Sequence, residues 1–295
     1  MKKLFKNRAV TTALVLPGIA VMVFAMIIPI GFSVYYSLTD WAGIGAYHMI
    51  GGDNFIQILF NDPTFWRSLA NVGILILVTV CLQNPLAFML AAVLARVSLR
   101  LSRVLRTVYF IPAVLSLVVV TALWVNIMNP SFGILDKILS LFTGAPVMTS
   151  WLGNPVTAIW AVIWIIIWQG FGWALLFFYT GLMTVPAELQ EAATIDGADR
   201  WTTFTKIILP VMYPVISAVV VIDVISSMKQ MEMIFLSTGG GPGDLTQFTA
   251  VYLYQKAFVA SQYGYGNALS VLFVVVAVGL TLIVQRFFKT EGEVE

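Results

Sequence analysis

A chain of 295 residues with 60% apolar and only 10% charged side chains is far from a soluble domain, in which about a quarter of residues are charged. The same shortage of charge excludes a disordered or nucleic-acid-binding chain. One cysteine, Cys81, rules out a disulfide framework within the chain and a multi-cysteine metal site; it lies in an apolar run and is expected to pack as a small hydrophobe.

A helix needs about 20 apolar residues to cross the hydrocarbon core of a bilayer. Six stretches meet or approach that length, at 9–38, 69–94, 108–128, 156–183, 211–236 and 268–288. The first follows Lys2, Lys3, Lys6 and Arg8. It is longer than the roughly 7–15 apolar residues of a secretory signal and no A-x-A pattern follows, so it reads as a retained span. The connection 39–67 carries Asp40, Asp53 and Asp62 and the lone histidine, His48, which is expected to be a solvated side chain. Prolines and glycines punctuate 129–155 and 237–267, notably at Asn129-Pro130, Asn154-Pro155 and Gly239–Gly243. No connection is large enough for a soluble domain, and no internal repeat is visible. The expected fold is therefore all-α, one membrane domain over 1–295 with six transmembrane helices. Trp41, Trp151 and Trp201 fall near span ends, where indole rings favour the interface.

Lysine and arginine gather in cytoplasmic loops. With the N-terminus inside, the inner side holds Lys2, Lys3, Lys6, Arg8, Arg96, Arg100, Arg103, Arg106, Arg200, Lys206, Arg286 and Lys289. The outer side holds only Arg67, Lys137 and Lys256, and Lys229 lies in the fifth span. Both termini of this multi-pass membrane protein are expected in the cytoplasm; the resemblance set out below implies a bacterial or archaeal inner membrane.

The inner connection 184–210 is long for a turn. Pro186 suits a helix start, with Glu188 and Glu191 near its positive end. Gly197 suits a left-handed turn, and Asp199 can cap a second helix carrying Trp201, Phe204, Ile207 and Ile208. Pro210 then marks the start of span five. A cytoplasmic helix–turn–helix of this kind is either a knob for a partner's groove or an amphipathic segment lying on lipid.

Spacing separates those readings. Glu191-Ala192-Ala193, three residues, Gly197, nine residues, Ile207, one residue and Leu209-Pro210 resemble the EAA signature of importer permeases of the ATP-binding-cassette class. Farther on, Thr238-Gly239-Gly240-Gly241-Pro242, Tyr252-Leu253-Tyr254, Ala257-Phe258 and Gly264-Tyr265 are similar to a block of the carbohydrate-importing group that includes maltose and glycerol-3-phosphate permeases. The resemblance implies a permease subunit that moves a sugar or oligosaccharide. It implies a second permease subunit, two cytoplasmic ATPase subunits holding ATP and magnesium, and an extracytoplasmic sugar-binding protein. It makes Glu191, Ala192, Ala193, Gly197, Leu209 and Pro210 the contact with the ATPase.

Ionisable groups inside a membrane are expensive, and span five holds Asp223, Lys229 and Glu232. Asp223, Ser227 and Gln230 stand at i, i+4 and i+7, on one helical face. They line a path or make a polar contact within the protein; Lys229 and Glu232, at i and i+3, could form a pair of their own. The resemblance implies that Asp223, Ser227 and Gln230, with Ile166, Gly170 and Trp173 on span four, line the sugar path. A carboxylate and an amide suit hydroxyls, an indole suits the apolar face of a sugar ring, and a glycine allows close approach. The carboxylate argues against an anionic glycerol phosphate unless Lys229 turns inward.

No G-x-x-x-x-G-K-[ST], H-E-x-x-H, G-x-S-x-G or paired cysteine occurs, so this chain is expected to carry no cofactor and no catalysis of its own. The competing reading is a secondary transporter or channel for a small polar solute, in which the 184–210 spacing has no role.

Overall fold

The computed structural model describes residues 8–288. Lys2, Lys3, Lys6 and Lys289, which entered the orientation argument, lie outside them. The described residues are helical, with no strand beyond a single bridge between Thr39 and Met49. Among the described residues five helices are long and apolar enough to cross a membrane, or six when the bent pair over 99–127 is counted as one span. This is an all-α polytopic membrane fold.

In chain order the helices are α1 (Leu14–Tyr36, extending back to Arg8), α2 (Asp53–Asn61), α3 (Pro63–Leu94), α4 (Leu99–Val114), α5 (Leu117–Ile127), α6 (Ile134–Thr143) and α7 (Ala158–Met183). They continue with α8 (Ala187–Ile195), α9 (Arg200–Lys229), α10 (Glu232–Ser237), α11 (Thr249–Tyr254) and α12 (Tyr263–Phe288).

Two of the spans differ from their sequence expectation in an informative way. The stretch 108–128 is not one straight helix: α4 and α5 meet at 96°. Pro112 removes a helical hydrogen bond just before the corner, and Leu115 and Ser116 take ψ of 147° and 138°. The stretch 211–236 is likewise broken. α9 ends at Lys229, Gln230 is extended at ψ 114°, and α10 is a separate helix. At its other end α9 passes straight through Pro210, where the sequence suggested a boundary. The remaining shifts are simple extensions, α3 back to Pro63 and α12 back to Tyr263.

Passage through proline has a local cause. Wide turns of π geometry occupy Val23–Ile27, Thr79–Gln83 and Phe204–Ile208, and Pro29, Pro85 and Pro210 follow two residues later. Each turn closes through the N–H just before the proline: Ile28 to Val23, Asn84 to Thr79, Leu209 to Phe204. Proline lacks an N–H, and its ring crowds the carbonyl four residues back. The wider turn makes room for that ring, so the helix continues.

The contacts group into two compact units, 1–62 with 253–275 and 63–252 with 276–295. In the first, Asn54 donates to the carbonyls of Ser37 (2.8 Å) and Thr39 (2.9 Å), anchoring α2 to the end of α1. Trp41 stacks on Tyr36 at 4.5 Å between ring centroids. The Gly264 N–H donates to the Trp41 carbonyl at 2.8 Å, and the Tyr265 hydroxyl donates to the Asp62 carboxylate. His48 is solvated, as expected, yet not alone: its Nδ1 lies 3.1 Å from Asp40 Oδ2. The His48 N–H, donating to Asp40 Oδ1, is the main reason the Asp40 carboxyl sits below its usual range.

In the second unit α3, α7 and α9 share a core of Ala87, Ala91, Leu94, Leu175, Phe178, Ile208, Met212 and Val219. Phe88 meets Phe178 edge-on at 5.4 Å. Small residues set the closest crossings, as is usual between membrane helices. A Cβ on Gly172 would stand 2.3 Å from the Tyr109 carbonyl oxygen of α4. One on Gly181 would stand 2.8 Å from Met212 Cε. Gly172→Leu should therefore destabilise the chain by about 1–3 kcal/mol, the usual cost of overpacking. Gly73→Leu, where nothing lies within 4 Å of a Cβ, should leave the melting temperature in detergent nearly unchanged. Equal losses in the two variants would contradict the close crossing.

The glycine-rich segment after α10 is a knot tied to α3. Thr246 Oγ1 donates to the Gly241 carbonyl at 2.6 Å and lies 2.7 Å from Thr238 Oγ1. Asn71 of α3 donates to the carbonyls of Leu245 (2.9 Å) and Gln247 (2.8 Å). The connection 129–155 contains α6, held by buried Asp136, which accepts from Trp151 Nε1 (2.6 Å) and the Thr149 N–H (2.8 Å). Cys81 is exposed rather than packed inside the chain.

Candidate functional site

A cavity of about 510 Å³ opens between α3, α7 and α9. Ile166, Gly170 and Trp173 line it from α7, and Asp223 and Ser227 from α9. Gln230 lines it too, although it does so from extended backbone beyond the end of α9 rather than from the helical face its spacing suggested. All six residues expected on one path thus border one space. Lys229 and Glu232 do not: both are exposed, neither lines the cavity, and no ion pair joins them among the described residues.

The walls follow from the local sequence. Thr79 and Gln83 of α3 are one helical turn apart and present two polar groups. Gln169 adds another amide from α7. Trp173 is 54% exposed and stacks on Phe177 at 5.6 Å, giving the cavity an aromatic wall. At Gly170 a Cβ would come no nearer than 3.7 Å, to Gln83 Nε2. No neighbouring helix needs that glycine; its missing side chain widens the cavity.

Asp223 is the ionisable side chain in the wall. Its Oδ2 accepts from Asn84 Nδ2 at 2.7 Å. Asn84 is buried, and its own Oδ1 has no partner among the described residues. The sequence reading missed Thr79, Gln83, Asn84 and Gln169. The signal was available: amides within an apolar stretch carry the same demand for partners that drew attention to Asp223.

The 184–210 segment has the expected local structure. α8 starts after Pro186, and Gly197 takes φ +79°. The N–H of Ala198 returns to the Ala193 carbonyl at 2.9 Å, which closes the helix end around that left-handed residue. Asp199 Oδ1 accepts the Thr202 N–H at 2.8 Å and caps α9. The Thr202 hydroxyl, and then its N–H, favour the charged form and hold the Asp199 carboxyl below its usual range. The cap is therefore complete at neutral pH and lost only as pH falls through that lowered pKa. Ala193 is buried and Leu209 half-buried, whereas Glu191, Ala192, Gly197 and Pro210 are exposed. Ile195 and Trp201 are 85% and 70% exposed. Together they form a charged and apolar exposed surface.

Comparison with known proteins was then informative. Residues 83–290 match the model of the family described as binding-protein-dependent transport system inner membrane component. A probable ABC transporter permease protein of Pyrococcus horikoshii is 34% identical over 92% of this chain and 90% of its own length. The multiple sugar-binding transport system permease protein MsmF of Streptococcus mutans is 31% identical over 95% of each chain. Among solved structures, a bacterial ABC transporter involved in import of the acidic polysaccharide alginate superposes with a TM-score of 0.82, covering 99% of both chains at 23% identity. That last similarity establishes the fold.

Proposed function

Because this chain belongs to the family of binding-protein-dependent transport system inner membrane components, we propose that it is a permease subunit of an ATP-driven sugar importer. Residues 1–295 act as one permease domain beside a second permease subunit. Two ATPase subunits bind ATP and magnesium on the cytoplasmic side, and an external binding protein delivers a sugar or oligosaccharide. Both termini are cytoplasmic. The Streptococcus mutans relative, a permease protein of a multiple sugar-binding transport system, supports the substrate class.

The observation that carries this reading is the meeting of Ile166, Gly170, Trp173, Asp223, Ser227 and Gln230 around one cavity. The wall chemistry suits a polyol. Carboxylate and amide oxygens accept hydroxyl protons, amide N–H groups donate, and the Trp173 face covers the apolar side of a ring. Coupling follows from continuity. Trp201, within the 184–210 segment, and Asp223 belong to one uninterrupted helix, α9. At 1.5 Å per residue they are about 33 Å apart along its axis. A partner that grips α8 and the start of α9 moves the cavity wall with the same rigid element. Glu191 supplies a free carboxylate for a basic group on the ATPase, and Gly197 supplies the turn that presents it.

Reporter fusions test the orientation. Fusions after Leu101 and Ala198 should report the cytoplasm, and fusions after Phe60 and Gly144 the outside. An external Ala198 would contradict the proposal, since the ATPase works inside.

A further inference from the structure

The sign of the charge in the cavity limits what passes through it. No lysine, arginine or histidine lines the space, and Asp223 is its acidic group. Lys229, the nearest basic residue in sequence, is exposed and lies outside the lining, so it does not offset the carboxylate. Nor does any ion pair within the described residues. Among the described residues, the hydrogen bond to Asp223 comes from a neutral amide, Asn84, to Oδ2. Asn84 is 5% exposed and cannot move away without burying unpaired polar atoms. It fixes one carboxylate oxygen, and no donor among the described residues reaches Oδ1.

We infer that Asp223, held by Asn84, is a charge filter: this permease admits neutral or cationic glycans and rejects anionic ones such as uronates, sulfonates and sugar phosphates. The inference rests on the cavity being the sugar path. An unneutralised carboxylate in a narrow space walled mostly by apolar groups repels a second anion far more than it would in bulk water. A neutral sugar gains instead, because its hydroxyls donate to Oδ1. The similar fold described above serves an acidic polysaccharide.

The filter is measurable without knowing the sugar. In the purified full complex, with Cys81→Ser, a cysteine is placed at Ser226, an exposed residue of the lining. Gly170→Cys repeats the measurement from the opposite wall. Each is reacted with neutral, trimethylammonium-bearing and sulfonate-bearing methanethiosulfonates, from either membrane side, with and without ATP. Rates are divided by those for mercaptoethanol in solution. The cationic reagent should be favoured over the anionic by roughly tenfold, and Asp223→Asn should bring the ratio close to one. A ratio unchanged by Asp223→Asn, or one favouring the sulfonate, would overturn the filter while leaving the path intact. Failure of both cysteines to react with any reagent under any condition would mean that no water-filled path exists. That result would remove the path as well as the filter.

Discussion

Gly197→Val should lose most sugar uptake while the chain still inserts and still binds its partner permease. Gly197 sits at φ +79°, and no atom lies within 4 Å of a Cβ built there. The penalty is thus purely conformational. A residue with a Cβ in left-handed geometry costs about 1–2 kcal/mol, and a β-branched one is least tolerated there. That moves the turn's equilibrium away from its present conformation by roughly five- to thirtyfold. The turn sets the angle between α8 and the capped start of α9, so its loss misplaces Glu191 relative to Trp201. Glu191→Lys should give the same phenotype by another route, reversing the charge offered to the ATPase without touching the turn. Uptake in membrane vesicles and ATPase retained on affinity purification are the two readouts. Normal values of both in both variants would leave 184–210 as a surface segment with no coupling role.

The second large effect belongs to the cavity. Asp223→Ala removes an acceptor for sugar hydroxyls. Hydrogen bonds to a charged group are worth about 1.5–3 kcal/mol, so uptake at limiting sugar should fall roughly ten- to hundredfold. Trp173→Ala removes the aromatic wall, and the exposure of that side chain means the core beneath it survives. Both variants should assemble normally and keep basal ATP hydrolysis. Unchanged uptake across a panel of sugars would leave Asp223 as a structural partner of Asn84 and place the path elsewhere.

The spans were legible in the sequence because runs of about 20 apolar residues have few other uses. Their interruptions were not. The chain stays apolar through the 96° corner at Leu115 and Ser116, and Pro112 was the one mark left there. Pro210 misled in the opposite direction, since a wide turn lets α9 run through it. Cys81 shows a related limit. A membrane helix is apolar on every side, so composition does not tell a residue facing the core from one facing outward. The cavity was legible on α7 and α9, from the ionisable groups of span five and the family resemblance. It was not legible on α3, where Thr79, Gln83 and Asn84 change the hydropathy of their stretch too little to stand out. Gln230 was placed on the right wall for the wrong reason, because the helix it was counted along ends one residue before it.

Whether energy from ATP moves sugar past this chain is read from uptake of labelled sugar into proteoliposomes. These would contain this chain, its copurifying permease and ATPase subunits, and the external binding protein. Uptake should run against a gradient, require both the binding protein outside and hydrolysable ATP inside, and fall in step with Trp173→Ala. Equal uptake with a non-hydrolysable ATP analogue, or uptake driven by an ion gradient alone, would contradict ATP-driven import.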